Sequence, residues 1–370
     1  MDYGFRAYDI YCIQKKIYFS SVDYNALMEI DLKKNICSCI QVFNKENYDQ
    51  KNLHSHIICH DNILYFIPYK GKGISSYNIM TGEAGFIDLT RNFNYVEYSA
   101  ILKYENNYII IPNNQKYPFL LWNITDNNFY DMKNINNIIE RHFKHKKFNI
   151  DMYGAILEEN RLYITFIGTS QIGVFDLDNN TVKWLYFEDY KLANLTYSNP
   201  YIWISTMTGD IISININNYN NKKYYKLLDS DTREFFRCVE IDGNIFALPC
   251  MNNNIWYYSK QNNEWKSLEY YMPEKFNRIV PEKALIMSCC QYNDRVYFFP
   301  RAGSGIICKE KTKAKMEVIP ISPDKECTRT LEKISHKKLD DIVKSGDVIE
   351  ESKFINYERF VSFLIESCGK

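Results

Sequence analysis

The chain has 370 residues and balances 45 Lys and Arg against 45 Asp and Glu, with 46% hydrophobic and 24% charged residues. This is a globular composition able to bury a large core, and zero net charge removes the long-range cationic field that favours nucleic acid or an anionic membrane. No apolar run approaches the roughly 18 residues of a membrane span, and Met1–Arg6 lacks the basic-then-apolar order of an export signal. The expectation is therefore a cytoplasmic monomer without nucleic acid or membrane partners.

Taken in chain order, one unit recurs. A turn rich in Asn, Asp or Gly leads into a short aromatic and aliphatic run: Ile17–Ser20, Leu64–Pro68, Tyr108–Pro112, Leu162–Phe166, Ile202–Ser205, Ile245–Pro249 and Val296–Pro300. Tyr18, Tyr65, Ile109, Tyr163, Trp203, Phe246 and Tyr297 form one column of that repeat, spaced 40 to 54 residues apart. Each run is followed by a second strand with an Asp or Asn before its last hydrophobic residue, as in Leu27–Leu32, Ile74–Ile79, Phe119–Ile124, Ile172–Leu177 and Ile211–Ile216, and then by a third, clearest at Trp184–Phe187 and Trp265–Leu268. With the apolar stretch upstream of every run, the unit holds four short antiparallel strands.

Such a unit cannot bury both of its faces alone, whereas radial stacking into a closed ring does so and leaves only short edges. The prediction is all-β: a seven-bladed β-propeller of four-stranded antiparallel blades over residues 1–323, with a short helical extension over 324–370. Pro68, Pro112, Pro249 and Pro300 fit strand ends that need no further ladder donor. The hydrophobic-Tyr strand, the Asp/Asn-hydrophobic strand and the occasional Trp strand resemble the repeats of kelch and galactose-oxidase-like propellers over residues 5 to 321, without the paired glycines of true kelch units. The resemblance implies the fold. It leaves function open, because that fold hosts enzymes, scaffolds and lectin-like binders.

Two departures from the repeat read as helices. The longest insertion, 133–149, carries Ile135, Ile138 and Ile139 at helical spacing and ends in a basic run from Arg141 to Lys147. Beyond Pro323, 328–344 and 351–366 have helical periodicity, and their apolar stripe is expected to pack on the propeller.

Eleven cysteines form no C-x-x-C pair, and an odd total without an export signal argues against a disulfide framework. His54-x-His56 and His142-x-x-His145 have spacings that could share a metal, but neither has a third ligand nearby in sequence. Phosphate-loop, dinucleotide and nucleophile-elbow motifs are missing. No metal or cofactor is expected.

In a propeller the first strand of each blade lines the axis. Aligning back from the proline column, with blade four shifted by one for a shorter turn, places Asp9, His56, Ala100, Ala155, Asn194, Arg237 and Ser288 there. Five of the seven are polar where small residues would suffice. The loops on the same face add Tyr69, Tyr117 and Arg301. These residues fit either a structural channel filled with ordered water or a binding site for a small carbohydrate or peptide ligand, or for a protein partner. The alternative is an enzyme of epimerase, lyase or hydrolase type on a carbohydrate or modified peptide, with Asp9 or His56 as base and Arg237 as anion clamp.

Overall fold

In a computed structural model of the chain, the described residues are 5–48, 50–93, 97–145, 150–250, 254–269, 286–300, 305–311, 313 and 315–334. Seven antiparallel sheets follow one another, each with four strands contiguous in sequence. Their first strands are Tyr11–Ile13, His54–His60, Tyr98–Tyr104, Met152–Glu158, Leu192–Ser198, Phe235–Ile241 and Ile286–Tyr292. Each touches the first strand of the next blade, and the seventh meets the first. The predicted seven-bladed ring is the fold.

Turn chemistry explains why the repeat is so regular. The hairpin between first and second strands carries left-handed residues at Gln14 and Lys15, Asp61 and Asn62, Glu105, Glu159, Asp242 and Gly243, and Asn293. Such turns match the right-handed twist of the strands that they join. Between third and fourth strands, Asp31, Asn78, Asn123, Asp176 and Asn215 each accept through Oδ1 the backbone N–H two residues on, at 2.8 to 3.1 Å. This is the Asp/Asn column of the sequence, used to close a local turn.

The core lies between blades. Separate apolar clusters fill the interfaces of blades two and three, three and four, four and five, five and six, and six and seven. A larger one joins blades seven, one and two. Tyr18, Ile109, Tyr163, Trp203, Phe246 and Tyr297 of the aromatic column are buried in these interfaces, and the Tyr65 ring meets Trp122 of the next blade at 5.2 Å. Burying each such side chain is worth roughly 1.5–3 kcal/mol, so the column is packing.

Helix α1 (Lys133–Phe143) fills the gap between blades three and four, burying Ile135, Ile139 and Phe143. After blade seven, Ser322–Pro323 pairs in parallel with Ile36–Cys37 on the outer strand of blade one. Helix α2 (325–334) follows, three residues earlier than the periodicity indicated, because Asp324 caps it: Oδ1 accepts the Cys327 N–H at 2.6 Å. Cys327, Leu331 and Ile334 pack into the blade-one core. The rest of the 328–344 expectation and all of 351–366 lie outside the described residues.

Neither histidine pair is arranged as its spacing suggested. A β-bulge separates His54 from His56, so the two side chains do not share a face. His54 is buried between Ser20 Oγ (2.8 Å) and Ser75 Oγ (3.2 Å), against the rings of Phe43 and Phe66. His142 stacks on Trp184 at 3.6 Å, while His145 is exposed. Among the described residues no group of three metal-ligating side chains converges. The ten described cysteines are free thiols.

Candidate functional site

Six of the seven first strands begin with the same irregularity. The opening residue pairs with the end of the second strand, one residue bulges, and the ladder resumes: His54 then His56, Tyr98 then Ala100, Met152 then Gly154, Leu192 then Asn194, Phe235 then Arg237, Ile286 then Ser288. A bulge increases local twist and re-aims side chains. Here it gives the residue that resumes the ladder the same place in each blade.

The aligned column is therefore real, with one correction. Blade four has the same two-residue turn as blade two, since Glu158 pairs with Arg161 as His60 pairs with Ile63, so no shift is needed. The equivalent residue is Gly154, not Ala155. A Cβ at Gly154 would stand 2.6 Å from Thr165 Oγ1 and 2.7 Å from Leu195 N. Glycine is required there because the neighbouring strand approaches too closely for any side chain.

Asp9 knits three blades. Its Oδ1 accepts from Ile10 N and from Ser288 Oγ, both at 3.0 Å, and its Oδ2 accepts from Ile57 N at 3.1 Å. The Arg237 guanidinium lies 4.0 Å from Oδ1, across from blade six. His56 is within the field of both groups. Burial pushes its pKa down to about 4; the Asp9 charge works against that shift and the Arg237 charge adds to it. The imidazole is thus neutral at pH 7. Two polar atoms of this cluster, His56 Nδ1 and Arg237 Nε, are buried without a hydrogen-bond partner. An unsatisfied buried donor or acceptor costs about 1–3 kcal/mol; among the described residues six further buried polar atoms are in the same state, four of them indole Nε1 groups.

The remaining expected residues divide. Ser288 is fully buried and serves Asp9. Asn194 spends its amide on the Tyr153 carbonyl at 2.9 Å, bracing the blade-four bulge. Tyr69 belongs to the mouth: its ring packs on Tyr8 at 5.4 Å, and its hydroxyl, pushed up strongly by burial, shares a hydrogen bond with Tyr153. Tyr117 lies elsewhere, in a cleft against α1. Arg301 is outside the described residues.

Alignment on one column missed its neighbours. The residues one position earlier, Tyr8, Tyr153 and Phe236, are half-buried aromatics. Phe236 lies under two guanidiniums, Arg233 at 5.2 Å and Arg237 at 5.9 Å. Arg233 is fixed to the backbone carbonyls of Phe236 (2.7 Å) and Phe235 (3.3 Å), and burial lowers its pKa from the ordinary guanidinium value. In a regular strand these neighbours would face away. A one-residue bulge removes that alternation, and the aromatic residues one place before the column were the only trace of it in the sequence.

No protein-family model matches the chain, and no curated protein matches it in sequence. Solved structures do match in shape. A catalytically inactive histidine-to-alanine form of virginiamycin B lyase from Staphylococcus aureus, with quinupristin, superposes with TM-score 0.57 at 11% identity, over 81% of this chain and 94% of that one. The extracellular domain of a hybrid two component system from B. thetaiotaomicron gives 0.59 at 12% identity, over 82% of this chain and 38% of that one. The computationally designed Ika8 protein gives 0.51 at 10% identity, over 87% and 91%. At such identities the likeness shows the propeller fold and nothing finer.

Proposed function

We propose that the protein is a ligand-binding propeller that receives, at its axial mouth, an anionic group of a small carbohydrate or peptide-like ligand. The observation that carries this reading is the buried, unpartnered Nε of Arg237 beside the unpartnered Nδ1 of His56. Asp9, the acid nearest to them, already accepts three hydrogen bonds, so a carboxylate or phosphate from outside is the natural partner for the guanidinium. Tyr8, Tyr69 and Phe236 would supply ring faces to the rest of the ligand. The proposal extends to a kelch-like or galactose-oxidase-like affinity of the repeats, supported by the Asp/Asn turn column, and to a monomer working in the cytoplasm, supported by the balanced charge.

Calorimetric titration with uronic acids and N-acetylated dipeptides tests it. An acid that binds wild type should bind Arg237→Gln roughly 10- to 100-fold more weakly, the loss of one charged hydrogen-bond pair. Equal affinity for both proteins would refute the reading. A second reading, catalysis on the same ligand class, is favoured by the unpartnered Nδ1 of His56, which lies within the field of Asp9 and Arg237. It requires a His56→Gln variant that keeps the ligand and loses turnover; loss of binding with no turnover in wild type leaves the binding module alone.

A further inference from the structure

The loop between the second and third strands of blade three, together with α1, borders an open cleft of about 650 Å³, within the size range of small-ligand sites. It is separate from the axial cluster: neither Asp9, His56 nor Arg237 lines it. Two half-buried rings, Phe93 and Tyr117, form part of its wall.

The scaffold of the cleft is fixed. Asn136 on α1 donates to the Tyr117 carbonyl at 2.8 Å and accepts from Phe119 N at 3.2 Å, which ties the helix to the loop. Gln115 Oε1 accepts the Ile150 N–H and holds the loop's other flank. Ile135, Ile139 and Phe143 anchor α1 in the core below. A site built this way loses little freedom when a ligand enters.

Four of the polar side chains that line the space are uncommitted. Among the described residues the side chains of Asn92, Asn137, Lys133 and Glu140 line the cleft and make no hydrogen bond or ion pair. Among the described residues that line the cleft, Lys116 and Lys133 are balanced by Asp131 and Glu140. Ring faces bordered by amides and by both signs of charge offer stacking for the C–H face of a pyranose, and donors and acceptors for its hydroxyls. The balanced charges of the described lining give a polyanion no net attraction there.

We infer that this cleft between the blade-three loop and helix α1 is a second binding site, for a neutral oligosaccharide, distinct from the anion-receiving axial mouth. The inference stands on the cleft alone and does not depend on the axial reading.

The test is saturation-transfer NMR and calorimetry on the full chain with maltose, cellobiose, lactose and chitobiose. At least one should bind with a dissociation constant below about 1 mM. Tyr117→Ala should weaken it about tenfold or more. Because that change also touches the loop, Asn137→Ala and Glu140→Gln on the exposed face of α1 should each weaken binding several-fold at an unchanged melting temperature, while Arg237→Gln leaves it intact. No binding by any of the four sugars at about 20 mM overturns the inference, and so do α1 variants that bind like wild type. Loss of the sugar with Arg237→Gln alone would also overturn it, by moving the saccharide to the axial mouth and leaving that site's reading in place.

Discussion

Asp9 holds the axial cluster together because a single carboxylate there receives donors from blades one, two and seven. Asp9→Asn turns one of its acceptor oxygens into a donor facing Ile57 N or Ser288 Oγ, and should cost about 1–3 kcal/mol in urea unfolding. Gly154→Ala should cost a similar amount or more, since the added methyl meets the backbone N of Leu195 as well as a side chain. The histidines give a pH signature. Burial holds His54 at about 3 and His56 at about 4, against 6.5 for the free side chain. The unfolded chain therefore binds two protons that the folded one refuses. Their contribution to stability is complete above about pH 6.5 and is lost as pH falls toward 4 and then 3. Unfolding free energy should fall by about 2 kcal/mol between pH 6 and pH 5 from these two groups, and His54→Gln and His56→Gln should each remove about half of that slope. A slope unchanged by both variants would mean that neither imidazole is held neutral.

At the scale of an element, the segment after blade seven is a clasp. Ser322–Pro323 extends the blade-one sheet, Ser322 N donates to the Asn35 carbonyl at 3.2 Å, and Asp324 N donates to the Cys37 carbonyl at 3.0 Å. Helix α2 then buries Leu331 completely in the blade-one core. Leu331→Ala should destabilise by about 2–5 kcal/mol, and Asp324→Ala, which removes the cap, by about 1 kcal/mol, both read from denaturant midpoints. Periodicity alone located this helix late, because capping is set by a polar residue outside the apolar stripe. It located α1 well, since Ile135 and Ile139 mark one face that the blade interface covers. The bulges were invisible for a related reason: hydrophobic alternation is blind to a single inserted residue until the partner strand is known.

At the scale of the molecule, the four antiparallel strands of every blade come from one continuous stretch, and the short Ser322–Pro323 strand from the far end is added at the outer edge of blade one. The ring closes by side chains, with Phe19 of blade one against Phe299 of blade seven at 5.0 Å, and by the clasp. Phe299→Ala should therefore lower the unfolding free energy by about 3–5 kcal/mol. In hydrogen exchange it should release blades one and seven before blade four. Uniform loss across all blades would contradict a seam at that junction.

Blade number, strand order and turn positions were readable from residues because they rest on local chemistry: aromatic runs that must be covered, and Asp or Asn placed where a turn needs an acceptor. The axial residues were nominated by counting along that repeat. Counting could not register the equal turn lengths of blades two and four, and so chose Ala155 over Gly154. It could not separate Tyr117 from the mouth either, because how far a loop leans from the axis depends on the helix packed behind it. The pairing of Asp9 with Arg237 and the two unsatisfied atoms exist only once the ring closes. Closure brings strands far apart in sequence within a few ångströms, and no local propensity encodes that distance.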